Sequence, residues 1–179
     1  MRKTFVTLVA GACLAVPAGA LAADDGTPNA SQSCKQQREM MGEGAFKATY
    51  GTNANKSNAF GKCVSKMSKA QQNGQASAAK ECKAEEEAGA AAFAAKYGTN
   101  KNGKNAYGKC VSSKSKEADE KRTDATVSAA KQCKAERKAD PAAFKAKYGT
   151  NKSKSNAFGK CVSTKAKAQQ GDTPSPQAS

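Results

Sequence analysis

Cys133-Lys-Ala-Glu-Arg-Lys-Ala-Asp140-Pro141-Ala-Ala-Phe144-Lys-Ala-Lys-Tyr148-Gly149-Thr-Asn-Lys-Ser-Lys-Ser-Asn156-Ala-Phe158-Gly-Lys-Cys161-Val162-Ser163 is the clearest copy of a unit that occurs three times in this chain. Its large apolar side chains are spaced for helices. Phe144 and Tyr148 stand at i and i+4, while Phe158, Cys161 and Val162 stand at i, i+3 and i+4. The other copies begin at Cys34 and Cys82 and carry Phe46, Tyr50, Phe60, Cys63 and Val64, then Phe93, Tyr97, Tyr107, Cys110 and Val111, at the matching places. A period of 48 and then 51 residues marks a repeat protein.

Each copy reads as a helical hairpin joined by a polar loop. Gly51, Gly98 and Gly149 follow the tyrosine where a helix would close on a left-handed residue, and Asn58, Asn105 and Asn156 stand where an N-cap would open the next. The first segment is expected to break once more, because Asp140-Pro141 spells an N-cap followed by proline at the first helical position. In the first copy an extra residue near Gly42-Glu43-Gly44 would put Cys34 and Phe46 on different faces of an unbroken helix. The expected fold is therefore all-α, with three short helices in each of three tandem units. Those units are placed at 32–71, 79–116 and 130–168, with loose ends at 23–31 and 169–179. Between them, Gln71 to Ala79 contains Gly74, and Lys116 to Ala130 lacks Gly and Pro and is expected to be an exposed helical spacer.

Residues 1–22 read as a secretory signal peptide. Arg2 and Lys3 precede an apolar run from Phe5 to Val16 and a small-residue exit ending Ala20-Leu21-Ala22. A rival reading makes Ala10-Gly11-Ala12-Cys13 a lipoprotein box, although a large apolar residue belongs where Ala10 stands. Processing after Ala22 leaves 157 residues in which Leu, Ile, Val and Phe number only 9, against a net charge of +13 from 28 basic and 15 acidic residues. Such a composition usually means disorder. Here, however, 12 of the 16 large apolar residues occupy four repeated positions. The aromatics are read as core.

The same 157 residues hold two cysteines per unit. In an exported chain an even count implies disulfides, and the repetition favours the local pairing Cys34 with Cys63, Cys82 with Cys110 and Cys133 with Cys161. Closing a loop of some 28 residues removes about 3.5 kcal/mol of unfolded-state freedom in the chain-entropy model. Units with so few large side chains need it. Zinc is a poor alternative without a Cys-x-x-Cys pair or a histidine, and the Asn- and Lys-rich loops lack the carboxylates calcium requires. No cofactor is expected.

The absence of histidine removes Ser/His and Cys/His catalysis, and no nucleophile stands beside a base. No enzyme is expected. The surplus charge points elsewhere, since the spans from first to second cysteine carry +3, +2 and +6, making the third unit the basic end. Lysine supplies nearly all of it, as mobile point charges that suit non-specific attraction rather than bidentate readout. Lys145, Lys147, Lys152 and Lys154 are the candidate anion-binding residues. The Asn-rich loops, 51–58, 98–105 and 149–156, could instead face a protein partner or simply supply turn geometry.

The quoted unit resembles short exported proteins of actinobacterial type, over about three quarters of the processed chain. The resemblance fingerprints the repeat and carries no activity, and the first unit departs from it between Cys34 and Phe46. Together these readings predict a secreted or envelope-associated, non-enzymatic cationic protein. Its partner would be an anionic envelope polymer or membrane surface, or a protein in the spacer alternative. Nucleic acid fits the lysines but not the export signal.

Overall fold

A computed structural model describes residues 28–171, and the expected signal peptide and the last eight residues lie outside them. Seven helices and no strand occur among the described residues: α1 (Ala30–Met41), α2 (Glu43–Tyr50), α3 (Ala59–Ala88), α4 (Ala90–Tyr97), α5 (Ala106–Ala139), α6 (Pro141–Tyr148) and α7 (Ala157–Gln169). The chain is three disulfide-stapled helical units. Cys34–Cys63, Cys82–Cys110 and Cys133–Cys161 are the bridges, each with Cα atoms 6.0 Å apart.

Within each unit the extra break falls where the sequence places it. Gly42, at φ 83°, separates α1 from α2, a backbone conformation that glycine adopts without a Cβ clash. Ahead of α6 the Asp140 carboxylate accepts from the amides of Ala142 and Ala143, and Pro141 opens the helix. At the amino end, helix α1 starts at Ala30 rather than after Ser31. Asn29 and Gln32 form a reciprocal capping box that orders residues expected to be loose.

Between units the structure departs from the expectation of short helices. Nothing breaks α3 at Gly74 or α5 across Lys116 to Ala130, so the last helix of one unit runs on into the first helix of the next. With 30 and 34 residues, α3 and α5 extend about 45 and 51 Å at 1.5 Å per residue. They pack on each other as the spine of the molecule. The segment expected to be an exposed helical spacer is helical but buries one face: Asp119, Thr123, Ala125, Thr126, Val127, Ala129 and Ala130 face inward, while Glu117, Glu120, Lys121 and Asp124 stay exposed. Its small side chains are the reason, because Ala, Ser and Thr let α1 and α3 approach the α5 backbone closely.

The core follows this topology. Units 1 and 3 share one apolar cluster containing Phe46, Tyr50, Met67, Phe144, Phe158 and Val162 together with Val127 and the alanines of α5. Unit 2 keeps a separate small cluster of Cys82, Phe93, Ala106 and Cys110. In the shared core α2 packs on α7. Gly159 makes this approach possible, since a Cβ there would stand 3.0 Å from the Thr49 carbonyl oxygen and 3.2 Å from that of Ala48. Its repeat counterparts Gly61 and Gly108 face open space.

Candidate functional site

The repeated loops use their polar groups internally. Asn58 accepts from the Thr52 amide at 3.0 Å and donates to the Thr52 hydroxyl at 2.8 Å. Asn105 repeats this with Thr99, and Asn156 with Thr150. These side chains clamp the loop rather than cap the following helix, and none makes the N-cap hydrogen bond that the sequence suggests. The preceding glycines are likewise not left-handed, with φ of −71°, −71° and −76° at Gly51, Gly98 and Gly149. Lack of room explains them. A Cβ on Gly51 would meet the Lys47 carbonyl oxygen at 2.6 Å, and one on Gly149 would meet that of Lys145 at 2.6 Å. The left-handed residues lie five positions later, at Lys56, Gly103 and Lys154.

Beside each loop a polar node sits three residues after the unit's first cysteine. Glu85 accepts from the Tyr97 hydroxyl at 2.9 Å and pairs with Lys114 at 2.7 Å and Lys96 at 3.2 Å. Glu136 takes the same place with Tyr148 at 2.9 Å, Lys165 at 2.8 Å and Lys147 at 3.9 Å. In unit 1 the node is neutral. Gln37 accepts from the Tyr50 hydroxyl at 2.5 Å, and its amide lies 3.6 Å from the Met67 sulfur and 3.4 Å from the Thr123 hydroxyl. The exchange of Glu for Gln and of Lys for Met accompanies burial, because α5 covers this node and Gln37 is 0% exposed. A buried carboxylate would need its cation and its hydrogen bonds complete. Burial also pushes the Tyr50 phenol up to about 12.

These nodes account for one of the four lysines singled out in the sequence. Lys147 lies 5.0 Å above the Tyr148 ring and is drawn to Glu136, both of which raise its pKa. Lys145, Lys152 and Lys154 are exposed on the last turn of α6 and its loop, with no ion pair among the described residues. They form a basic edge, not a pocket.

A different set of cations shares a concave site. Between α2, α3, α5 and α7 lies a cleft of about 420 Å³, lined by Lys66, Arg122 and Lys167, by Thr49, Thr126 and Ser163, and by an apolar floor including Met67, Val162 and Ala166. The Lys66 ammonium lies 5.8 Å from the centre of the Tyr50 ring. Although the residue as a whole is exposed, desolvation of its charged end, reinforced by repulsion from Lys167, lowers its pKa. Arg122 is anchored by Asp119, itself 4% exposed, and by the Ala70 carbonyl at 3.4 Å. Neither Lys66 nor Lys167 meets a carboxylate among the described residues.

Sequence reasoning misses this site because its walls come from units 1 and 3 and from the interval expected to be a spacer. One faint signal exists in Lys66, which replaces the small hydroxyl residues Ser113 and Thr164 at the equivalent repeat position. No group of three or more metal-ligating side chains occurs among the described residues. No described helix is long and apolar enough to cross a membrane. No family model matches the chain, and no curated protein and no solved structure matches it.

Proposed function

We propose that this is an exported, non-enzymatic protein that binds anionic polymers or anionic lipid headgroups of the cell envelope. The observation that carries the reading is the surplus of unmatched cations on a rigid, stapled scaffold. Residues 28–171 contain 28 Lys and Arg against 12 Asp and Glu, and among these described residues nine of the cations stand within ion-pair distance of a carboxylate. Exposed cations of this kind attract a polyanion by releasing its counterions, without reading its sequence. Export is supported by the three disulfides, which persist in oxidising compartments. The alternative of a protein-binding loop loses support because the Asn side chains are committed to the clamp.

The test uses the whole oxidised chain without its first 22 residues, since unit 3 shares its core with unit 1 and is not an independent folding unit. Binding to long-chain polyphosphate and to vesicles rich in anionic lipid is measured across a salt series. Affinity should fall steeply from 50 to 200 mM salt. Changing Lys145, Lys147, Lys152 and Lys154 together to Gln should weaken binding and flatten the salt slope by about 0.7 to 0.9 for each phosphate no longer neutralised. Salt-independent binding, or none at low salt, would overturn the reading.

A further inference from the structure

The cleft between units 1 and 3 does something the diffuse lysine surface cannot, which is to press cations together against apolar walls. Lys167 has an ordinary explanation, because a cation in the last turn of α7 is favoured by the helix dipole. Lys66 has none. It lies seven residues into α3, far from that helix's C-terminal end, and its four-carbon stem could carry the ammonium into open water. Instead the ammonium stays over the Tyr50 ring, close enough to Lys167 for the two charges to repel. Arg122 adds a third cation whose one carboxylate partner, Asp119, neutralises a single charge of the three.

We infer that this cleft is an oxyanion site for a small organic phosphomonoester, with Lys66 and Lys167 holding the phosphate, Arg122 at its edge, and Met67 and Val162 beneath the carbon body. Two unpaired ammoniums match a dianion better than a carboxylate or a phosphodiester, each of which carries one charge. A volume of about 420 Å³ lies within the range of small-molecule sites and leaves room beyond the phosphate for a short carbon skeleton. The hydroxyls of Thr49 and Thr126 already donate to the carbonyls of Ala45 and Arg122 at 2.8 Å, so the lysines, with the Ser163 hydroxyl, are the main donors left in the cleft. The inference builds on the anion-binding reading and gives it a defined site.

The test titrates the oxidised chain, lacking its first 22 residues, with glycerol phosphate and follows backbone amide resonances. Saturable shifts at Ala70, Thr126 and Ser163 are expected. Lys66→Gln with Lys167→Gln should weaken binding at least about tenfold, whereas Lys152→Gln with Lys154→Gln, which removes the same charge from the basic edge, should change it by less than about twofold. Equal weakening by the two pairs, or shifts spread over the exposed lysines, would overturn the site. If polyphosphate binds wild type and the Lys66/Lys167 variant alike while glycerol phosphate shifts nothing in the cleft, the site fails and the polymer reading survives. Saturation of the cleft with no polymer or vesicle binding would give the reverse. Vesicles containing phosphatidic acid, whose headgroup is a phosphomonoester, identify the source. Competition for the cleft assigns it to a lipid headgroup, and no competition to a free phosphate ester.

Discussion

Gln37 shows how one residue records the environment of a whole unit. Replacing it by Glu would restore the residue found at the other two nodes, but under α5 and opposite Met67 instead of a lysine. The carboxylate would still accept from Tyr50, yet the amide donor near Thr123 would be gone and the charge would lack a partner. Gln37→Glu should therefore lower stability by about 3 kcal/mol, the scale of a buried ion pair missing one member. Adding Met67→Lys should recover part of the loss in a double-mutant cycle. Chemical denaturation measures both; a neutral single variant would show that water reaches this node. The charged nodes have their own signature. Lys114, with Tyr97 and Lys96, holds the Glu85 carboxyl down from 4.5 to about 2, and Lys165 with Tyr148 lowers that of Glu136. A folded pKa below the unfolded one stabilises in full above about pH 4.5, and the benefit is lost as the pH falls toward 2. The ring resonances of Tyr97 should move over that interval and those of Tyr148 below about pH 4.5, as Glu136 titrates, while Tyr50, bonded to an amide, stays still. Parallel movement of all three would contradict the assignment.

Helices α2 and α7 meet across a unit boundary through one missing side chain. Gly159→Ala should push them apart and destabilise the shared core, by the roughly 1 to 3 kcal/mol typical of overpacking. Gly61→Ala, at the same repeat position but facing open space, should raise stability by about 1 kcal/mol through helix propensity. Paired thermal melts decide between them, and a stabilising Gly159→Ala would mean that the helices separate freely. Such differences mark the boundary of what the sequence reveals. Helix type, the Asp140-Pro141 start and the disulfide pairing are legible because each depends on neighbours within one turn or on close repetition. The role of Asn156 is not, since a cap and a loop clamp use the same residue and differ only in which amide it faces. The burial of Thr123 to Ala130 is invisible because small residues carry no apolar period, and the cleft is invisible because its lysines meet only after units 1 and 3 pack.

At the scale of the molecule, the repeat is regular in sequence and uneven in structure. Units 1 and 3 share one apolar core, while unit 2 stands at the far end of the α3–α5 spine with its own four-residue cluster. Removing both cysteines of unit 2, by Cys82→Ser with Cys110→Ser, should expose the amides of α4 to hydrogen exchange and leave α6 protected. Removing Cys34 and Cys63 in the same way should loosen units 1 and 3 together. Each bridge contributes about 3.5 kcal/mol on the loop-closure estimate. Persisting protection in α6 of the second variant would show that the shared core outlasts its staple.

The bridges also set how far the chain can be pulled. Each shortcuts its own unit, at separations of 29, 28 and 28 residues, and none links one unit to another. Tension between Pro28 and Gly171 therefore bypasses 85 of the 143 residue steps and loads only about 58 of them, chiefly the linking stretches of α3 and α5. At about 3.5 Å per residue those steps extend to roughly 200 Å, against roughly 500 Å once the bridges are reduced. A chain of this build, held at its two ends, behaves as a short leash while oxidised, and a reducing agent more than doubles its reach.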